Sequence, residues 1–451
     1  MNVKQRVWKK FLVAGAALAL VTGIGSTLPT AYAGGTIKAD ETKWISIGIG
    51  LRTHFSAQEN ASPSAKAYTN AFNVDNTRIY INGQIHKYIK FTVNTECFNC
   101  GANNGRFGGG NLFAGQSNIG LIDSIGKFEY SETVNMWVGR TLVPFDRGEL
   151  NGPFYHPTYD GFKTPFLPND QSANFGRSTA ANDGAGLYGR DNGVVFFGRI
   201  HPMGTHFQYA FSVFQGQNGG PNQGSSLLYA GRFTWNLLAD EHAGNPGYYT
   251  AGTYYGGYGD LVALAVGFAH QKDGVGSATT KDDLNAIVFD GLIEKVLPDD
   301  GGIITINGEF KRYWAQNRKS FTDGVLDGGT GLTTPCGCGS INTPTPGMWI
   351  MNGNSWTIYG LYLFPEKWKT GWGRLQPYGR FTRISPIDSS QREEWEAGVN
   401  YVIDGFNARA SAYWQYGDIA TKGFVGGPGV FAPGRTGDRV DSFHVALQLQ
   451  Y

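Results

Sequence analysis

The feature that most constrains this chain is a series of short segments in which apolar and polar residues alternate. One of them places Ile79, Ile81 and Ile85 opposite Arg78 and Tyr80. A period of two puts successive side chains on opposite faces of a β-strand. The connections alternate as well, between mostly short turns and mostly long loops. Because a soluble sandwich has no reason for this parity, the pattern predicts an all-β transmembrane antiparallel β-barrel of about 16 strands.

The predicted strands follow one another along almost the whole sequence. They cover 44–55, 77–86, 88–96, 119–130, 133–141, 190–200, 205–215, 226–238, 259–271, 282–295, 302–316, 354–364, 374–384, 391–403, 405–417 and 439–451. The alternation is blurred around 121–125 and 262–268, where both faces are apolar. One connection breaks the parity, since 239–258 is long and rich in Gly and Tyr where a short turn is expected.

The last strand ends the chain on an aromatic residue. From Phe443 to Tyr451, apolar residues occupy every second position. With an even strand count both chain ends fall on the same side of the barrel. We therefore expect this strand to close the barrel against the first one, Trp44 to Phe55, on the periplasmic side.

The amino-terminus has the three parts of a secretory signal peptide. Lys4 and Arg6 open a basic region, an apolar run extends from Phe11 to Val21, and small residues flank Tyr32 at Ala31 and Ala33. The apolar run is well short of the ~20 residues that a spanning helix needs. The predicted organisation is a leader at 1–33 and one barrel domain at 34–451.

Composition excludes some functions and supports the barrel. The 37 basic and 36 acidic residues nearly balance, which argues against a nucleic-acid partner. Charged residues make up 16% and aromatic residues 14%, as expected where the outer surface faces lipid. No nucleophile with a base, paired catalytic carboxylates or metal-ligand spacing stands out, so we expect no enzyme activity, no cofactor and no metal site.

The polar face of the strands is expected to line an aqueous lumen. The inward cations predicted by alternation are Arg78, Lys90, Arg199, Arg232, Arg374, Arg380 and Arg409. Inward acids are expected to be fewer, the clearest being Glu96, Glu394 and Glu396. Such charges either set a mild anion preference or only pair locally, and the sequence leaves both possibilities open.

The longest loop, 142–189, begins with too many aromatic residues and prolines for a free surface loop. We expect it to fold into the barrel and narrow it. The run from Gly139 to Tyr155, GRTLVPFDRGELNGPFY, resembles the region entering the constriction loop of the phosphate-selective porin O and P family. The hairpin from Thr77 to Glu96 is similar to an early hairpin of that family, and the last strand fits as well.

This resemblance implies a sixteen-stranded, commonly trimeric porin in the bacterial outer membrane that admits small hydrophilic solutes or anions by diffusion. We expect the constriction near Arg140, Asp146, Arg147, Glu149 and Lys163, and we predict that replacing Arg147 shifts ion selectivity. The phosphate-specific members carry clustered basic residues there. In this chain acidic residues offset them, so the resemblance does not extend to phosphate selectivity.

Four cysteines form two local pairs in predicted external loops, Cys97 with Cys100 and Cys336 with Cys338. In an exported chain an even number of cysteines favours disulfides, with zinc ligation and cross-pairing between the loops as alternatives. The pairs also suit a second function, in which the barrel sheathes a partner such as an electron-transfer conduit through the outer membrane.

Overall fold

The computed structural model describes residues 35–40, 42–59, 68–98, 118–161, 189–216, 222, 224–243, 247–276, 281–314, 353–386, 391–419 and 438–451. Within these ranges lie seventeen strands, one short helix and two single 3₁₀ turns at Pro202–Gly204 and Glu366–Trp368. The predicted leader, Lys163 and the side chains of the four cysteines lie outside the described residues. No helix in these ranges has the length and apolar composition needed to cross a membrane.

The strands follow the predicted order closely. They are β1 Gly35–Lys38, β2 Trp44–Gln58, β3 Thr69–His86, β4 Ile89–Phe98, β5 Asn118–Glu129, β6 Asn135–Leu142, β7 Arg190–Ile200, β8 His206–Phe214, β9 Leu228–Asn236, β10 Leu261–Gly276, β11 Lys281–Val296, β12 Ile303–Trp314, β13 Gly353–Leu363, β14 Arg374–Pro386, β15 Arg392–Asp404, β16 Ala408–Gly417 and β17 Val440–Gln450. The helix α1, Arg147–Asn151, lies between β6 and β7.

Strands β2 to β17 form a closed antiparallel barrel. Each pairs with its neighbour in sequence, and β17 pairs with β2 in the register Gln450 to Gly50. Closure leaves no unpaired strand edge, which a sheet in a lipid bilayer requires. The predicted sixteen-stranded barrel is therefore confirmed. The additional strand β1, which was not predicted, pairs only with the start of β2.

The last residue takes part in closing the barrel. Tyr451 N donates to Ile49 O at 2.8 Å, and Ile49 N donates to Tyr451 O at 2.9 Å. A Cβ on Gly48 would lie 2.2 Å from the Tyr451 carbonyl oxygen, so the close approach requires glycine there. We call the end of the barrel that holds both Trp44 and Tyr451 the terminal end, and the opposite end the loop end.

The outward face of the barrel is apolar. Phe72, Ile49 and Trp395 are 78%, 57% and 52% exposed. Exposed apolar side chains on successive strands are costly in water and favourable in hydrocarbon. The inward face carries the buried polar and charged residues, and these determine the candidate site.

Candidate functional site: two chain segments inside the barrel

The lumen is crossed by the connection between β6 and β7. We call residues 143–161 the 143–161 segment. The backbone N–H of Gly148 donates to Glu309 of β12 at 3.0 Å. Farther along, Asn400 of β15 donates to Pro157 O at 3.0 Å, and Gln448 of β17 donates to Phe154 O at 2.8 Å. These partners lie on three strands of the wall, so the segment lies inside the barrel.

Local structure holds the start of this segment. The carboxylate of Asp146 caps α1 by accepting from Glu149 N at 2.7 Å. The same carboxylate lies 3.0 Å from the ammonium of Lys311 on β12. Capping and the ion pair fix the helix against the wall.

A second segment enters the lumen from the terminal end. It is the connection between β9 and β10, and we call residues 239–258 the 239–258 segment. Asn307 of β12 donates to Gly252 O at 2.8 Å, and Tyr254 N donates to Glu294 of β11 at 3.0 Å. This insertion is the physical reason for the long connection where parity predicts a short turn.

The two segments meet inside the barrel. Gly252 N donates to Tyr155 O at 2.8 Å, and Thr250 Oγ1 donates to Asn151 Oδ1 at 2.7 Å. A Cβ on Gly252 would lie 2.1 Å from Pro157 Cδ, so glycine permits this approach. The 143–161 and 239–258 segments therefore contact each other inside the barrel.

Part of the inner wall is apolar where these segments pack. Tyr248 lies with its ring centroid 5.2 Å from both Trp137 and Phe197. Ile125 of β5 belongs to the same buried cluster as Tyr248, and Tyr254 packs against the buried cluster that contains Ala263 of β10. Inward apolar residues of this kind explain why β5 and β10 are apolar on both faces, since lipid covers one face and the inserted segments cover the other.

Arg147 joins the two segments to the wall. Its guanidinium donates to both carboxylate oxygens of Glu241, at 2.8 and 3.0 Å, and to Ala251 O at 3.0 Å. Its Nε donates to Asp290 of β11 at 3.0 Å, and Arg232 also pairs with Asp290. The four charges sum to zero, and Arg147 has no accessible surface.

Electrostatics stabilise this cluster in its charged form. Burial alone would raise the pKa of Glu241, but the Arg147 guanidinium outweighs burial and lowers that pKa to about 2. Burial lowers the pKa of Arg147, whereas Glu241 and Asp290 raise it, and the net direction is upward. Arg147 and Glu241 are therefore ionised at neutral pH.

Most of the other inward cations also pair with carboxylates. The pairs are Arg78–Glu96, Lys90–Glu129, Arg190–Asp123, Arg199–Asp240, Lys311–Glu309 and Arg380–Glu396. Inward acids are thus more numerous than the sequence analysis expected. Asp123 was missed because the alternation is blurred around it, and Asp290 because Val288 and Leu292 make its inward face largely apolar, whereas Glu309 shares a polar face of β12 with Asn307 and Lys311 that the sequence does display.

Of the remaining predicted residues, some are buried and others are partly exposed. Arg409 is buried and donates to His156 O at 2.9 Å and to Pro157 O at 3.2 Å. Glu149 is also buried, beside Gly189. Arg140 and Arg374 keep partial exposure, and Arg374 lies 3.3 Å from Glu366 at the terminal end. Their role in selectivity stays a prediction.

The 239–258 segment contains a buried histidine, His242. Neither ring nitrogen has a hydrogen-bond partner among the described residues, and Nδ1 lies 4.0 Å from an Asp240 oxygen. Burial disfavours the imidazolium and outweighs the attraction of Glu241 and Asp240. The pKa falls from 6.5 to about 4.

Acid is expected to destabilise the 239–258 segment through His242. The pKa of His242 is lower in the folded protein than in the unfolded chain. Between about pH 6.5 and pH 4, His242 is therefore protonated in the unfolded chain and neutral in the folded one. Stability is therefore full above that window and falls as the pH drops through it, by roughly 3 kcal/mol in all. Thermal unfolding followed across this range should show the loss in wild type and much less of it in His242→Gln.

The matched control is His86→Gln, which changes an exposed histidine in a turn at the same end of the barrel. It should keep the wild-type pH dependence. Equal acid sensitivity of His242→Gln and wild type would contradict the assignment to His242.

Comparison with known proteins identifies the fold. No family model matches the chain, and no curated protein matches it. An anion-selective porin from Comamonas acidovorans has a similar structure, with a TM-score of 0.54, 12% identity and coverage of 91% of this chain and 100% of that one.

A second solved structure, Salmonella typhi OmpF in complex with daunomycin, gives a TM-score of 0.51 at 10% identity, covering 92% of this chain and 100% of that one. At these identities the likeness concerns the fold. The resemblance to the phosphate-selective O and P family stays a prediction. The chain has the sixteen-stranded antiparallel β-barrel fold of porins.

Proposed function

We propose that the protein is a porin of the bacterial outer membrane that lets small hydrophilic solutes and ions diffuse passively. The observation that carries this proposal is a closed sixteen-stranded barrel with an apolar outer face and a charged inner wall. Barrels of this size and pattern are typical of outer-membrane channels. No enzymatic function is proposed, and we expect lipid and small solutes, not nucleic acid, as partners.

The inserted segments define what can pass. Because the 143–161 and 239–258 segments meet inside the barrel, the permeation path runs beside their contact and is narrower than the barrel itself. We propose that this contact is the constriction and that it limits passage to small solutes. It also occupies the space in which a sheathed partner chain would lie, which favours the channel over the conduit.

The proposed anion preference is weak. Three of the predicted inward cations, Lys90, Arg199 and Arg374, keep partial exposure. They pair with Glu129, Asp240 and Glu366 respectively, so little net positive field remains. The anion selectivity of the Comamonas porin is consistent with this direction.

Conductance of the purified protein in planar bilayers tests the proposal. We expect discrete current steps that increase linearly with voltage. In a salt gradient we expect a small reversal potential with the sign of an anion-selective channel. A barrel that inserts but carries no current, and that co-purifies with a haem protein, would instead support the sheath. Chemical cross-linking in detergent tests the homotrimer that we propose from the family resemblance.

A further inference from the structure

Two histidines face each other across the turn between β7 and β8, at the terminal end of the barrel. Backbone and side-chain bonds fix this turn, since Thr205 N and Oγ1 both contact Pro202 O at 3.0 Å. Met203 and Gly204 both take a positive φ, which folds the chain back on itself. As a result, Nδ1 of His201 lies 2.7 Å from Nδ1 of His206.

A carboxylate from a different element completes the group. Asp240 begins the 239–258 segment, and its ligand oxygen lies within 4.8 Å of both histidine nitrogens. Asp240 is held in place, because Oδ1 accepts from His242 N at 2.9 Å and Oδ2 pairs with Arg199. Two imidazoles and one carboxylate are a donor set suited to divalent transition metals.

A second carboxylate orients His201 for this role. Nε2 of His201 lies 3.0 Å from Glu132 Oε1, in the turn between β5 and β6. A carboxylate only accepts, so Nε2 carries the proton and the lone pair of Nδ1 points toward His206 and Asp240. Carboxylates that fix the tautomer of a ligating histidine in this way are a regular feature of metal sites.

We propose that His201, His206 and Asp240 bind one divalent transition-metal ion, with Glu132 as the orienting carboxylate. Around a tetrahedral ion two ligating nitrogens are about 3.4 Å apart, so the rings need to separate only slightly. The side chain of His201 is 34% exposed, which leaves a route for the ion. A search of the sequence for ligands spaced as on one helix does not find this site. Its residues lie in the turn after β7, at the start of β8 and at the start of the 239–258 segment.

The site has a structural consequence. Asp240 belongs to the segment that enters the lumen, whereas His201 and His206 belong to the wall. A bound ion therefore ties the entry of the 239–258 segment to the rim of the barrel. This inference concerns metal binding and does not depend on whether the barrel conducts.

Ni²⁺ is the suitable probe, because it favours imidazole. The full-length protein should be refolded without a histidine tag, and its cysteines alkylated to remove thiolate ligands. Calorimetric titration near neutral pH is expected to show one saturable site per chain. We expect His206→Ala to weaken binding at least about tenfold, His201→Ala/His206→Ala to abolish it, and Glu132→Gln to weaken it about tenfold.

His86→Ala is the matched control, since it removes an exposed histidine from another turn at the same end. It should bind Ni²⁺ as wild type does. Heat-modifiable electrophoretic mobility checks that each variant has formed the barrel, and His206→Ala alone provides the test if the double variant does not fold. Absence of saturable binding to wild type, or wild-type affinity in a folded His206→Ala variant, would overturn the proposal.

Discussion

Removing the 239–258 segment is expected to raise single-channel conductance roughly twofold or more. The suitable variant replaces residues 240–259 by Asn-Gly. Ala239 and Asp260 already bond across the hairpin, with Ala239 N donating to Asp260 O at 3.3 Å, so a two-residue turn can join them. The barrel should still close, because the β9 and β10 ladder from Asn236 and Ala263 onward is untouched.

The physical reason is the space that the segment fills. Thr250 and Gly252 contact the 143–161 segment directly, and Tyr254 packs between Glu241 and the wall. Once the segment is removed, water and ions can occupy that volume. Arg147 and Arg232 would then share Asp290, and the water admitted to that volume would solvate the one positive charge left in excess.

Conductance in planar bilayers is the measurement, and a turn outside the lumen supplies the control. Replacing the exposed Trp368 of the 3₁₀ turn Glu366–Trp368 by alanine, which keeps Glu366 as the partner of Arg374, should leave conductance unchanged. If the variant without the inserted segment forms a barrel and conducts like wild type, the segment does not obstruct the permeation path.

The strands were predictable from the sequence because a barrel in lipid imposes a strict period of two. Each of the sixteen predicted segments overlaps one barrel strand. The closing strand from Phe443 onward pairs with β2, as its alternation predicted. The strands could be predicted because apolar residues facing lipid alternate with polar residues facing the lumen. The β-propensity of individual residues would not have been sufficient.

The arrangement inside the lumen was only partly predictable. The aromatic content after Leu142 predicted an inward-folded loop, and residues 143–161 of that loop have hydrogen-bond partners on the inner wall. The partner segment was visible only as a break in parity, and its contact with Arg147 depends on Glu241, which is 94 positions away. No local pattern encodes such a contact. The apolar inner face of β10, where Ala263 is fully buried opposite the exposed Leu264, was the available indication that something packs inside.

Replacing Arg147 by alanine is expected to cost about 3–5 kcal/mol of stability, since Glu241 and Asp290 would lose a buried counter-charge. Thermal unfolding at neutral pH measures this. Arg439→Ala is the control, because Arg439 is 45% exposed in its pair with Glu393 and such pairs contribute about 0–1 kcal/mol. Arg147→Met/Glu241→Gln should recover part of the loss, since it removes both charges.

The same substitution also tests the predicted effect on selectivity. Without Arg147 the cluster of Arg147, Arg232, Glu241 and Asp290 changes from neutral to one net negative charge. The reversal potential of Arg147→Ala should therefore move toward cations, whereas Arg147→Lys should lose stability without that shift. An unchanged reversal potential in a folded Arg147→Ala channel would mean that ions do not pass near the cluster.

The stability that the Arg147–Glu241 ion pair provides should also depend on pH. The folded pKa of Glu241, about 2, lies below its ordinary value of 4.5. The contribution is therefore present above about pH 4.5 and lost as the pH falls toward 2. Because Arg147→Ala removes the cause of that low pKa, its stability should fall less than that of wild type across this window. That difference separates the Arg147–Glu241 pair from the His242 effect, which lies at higher pH.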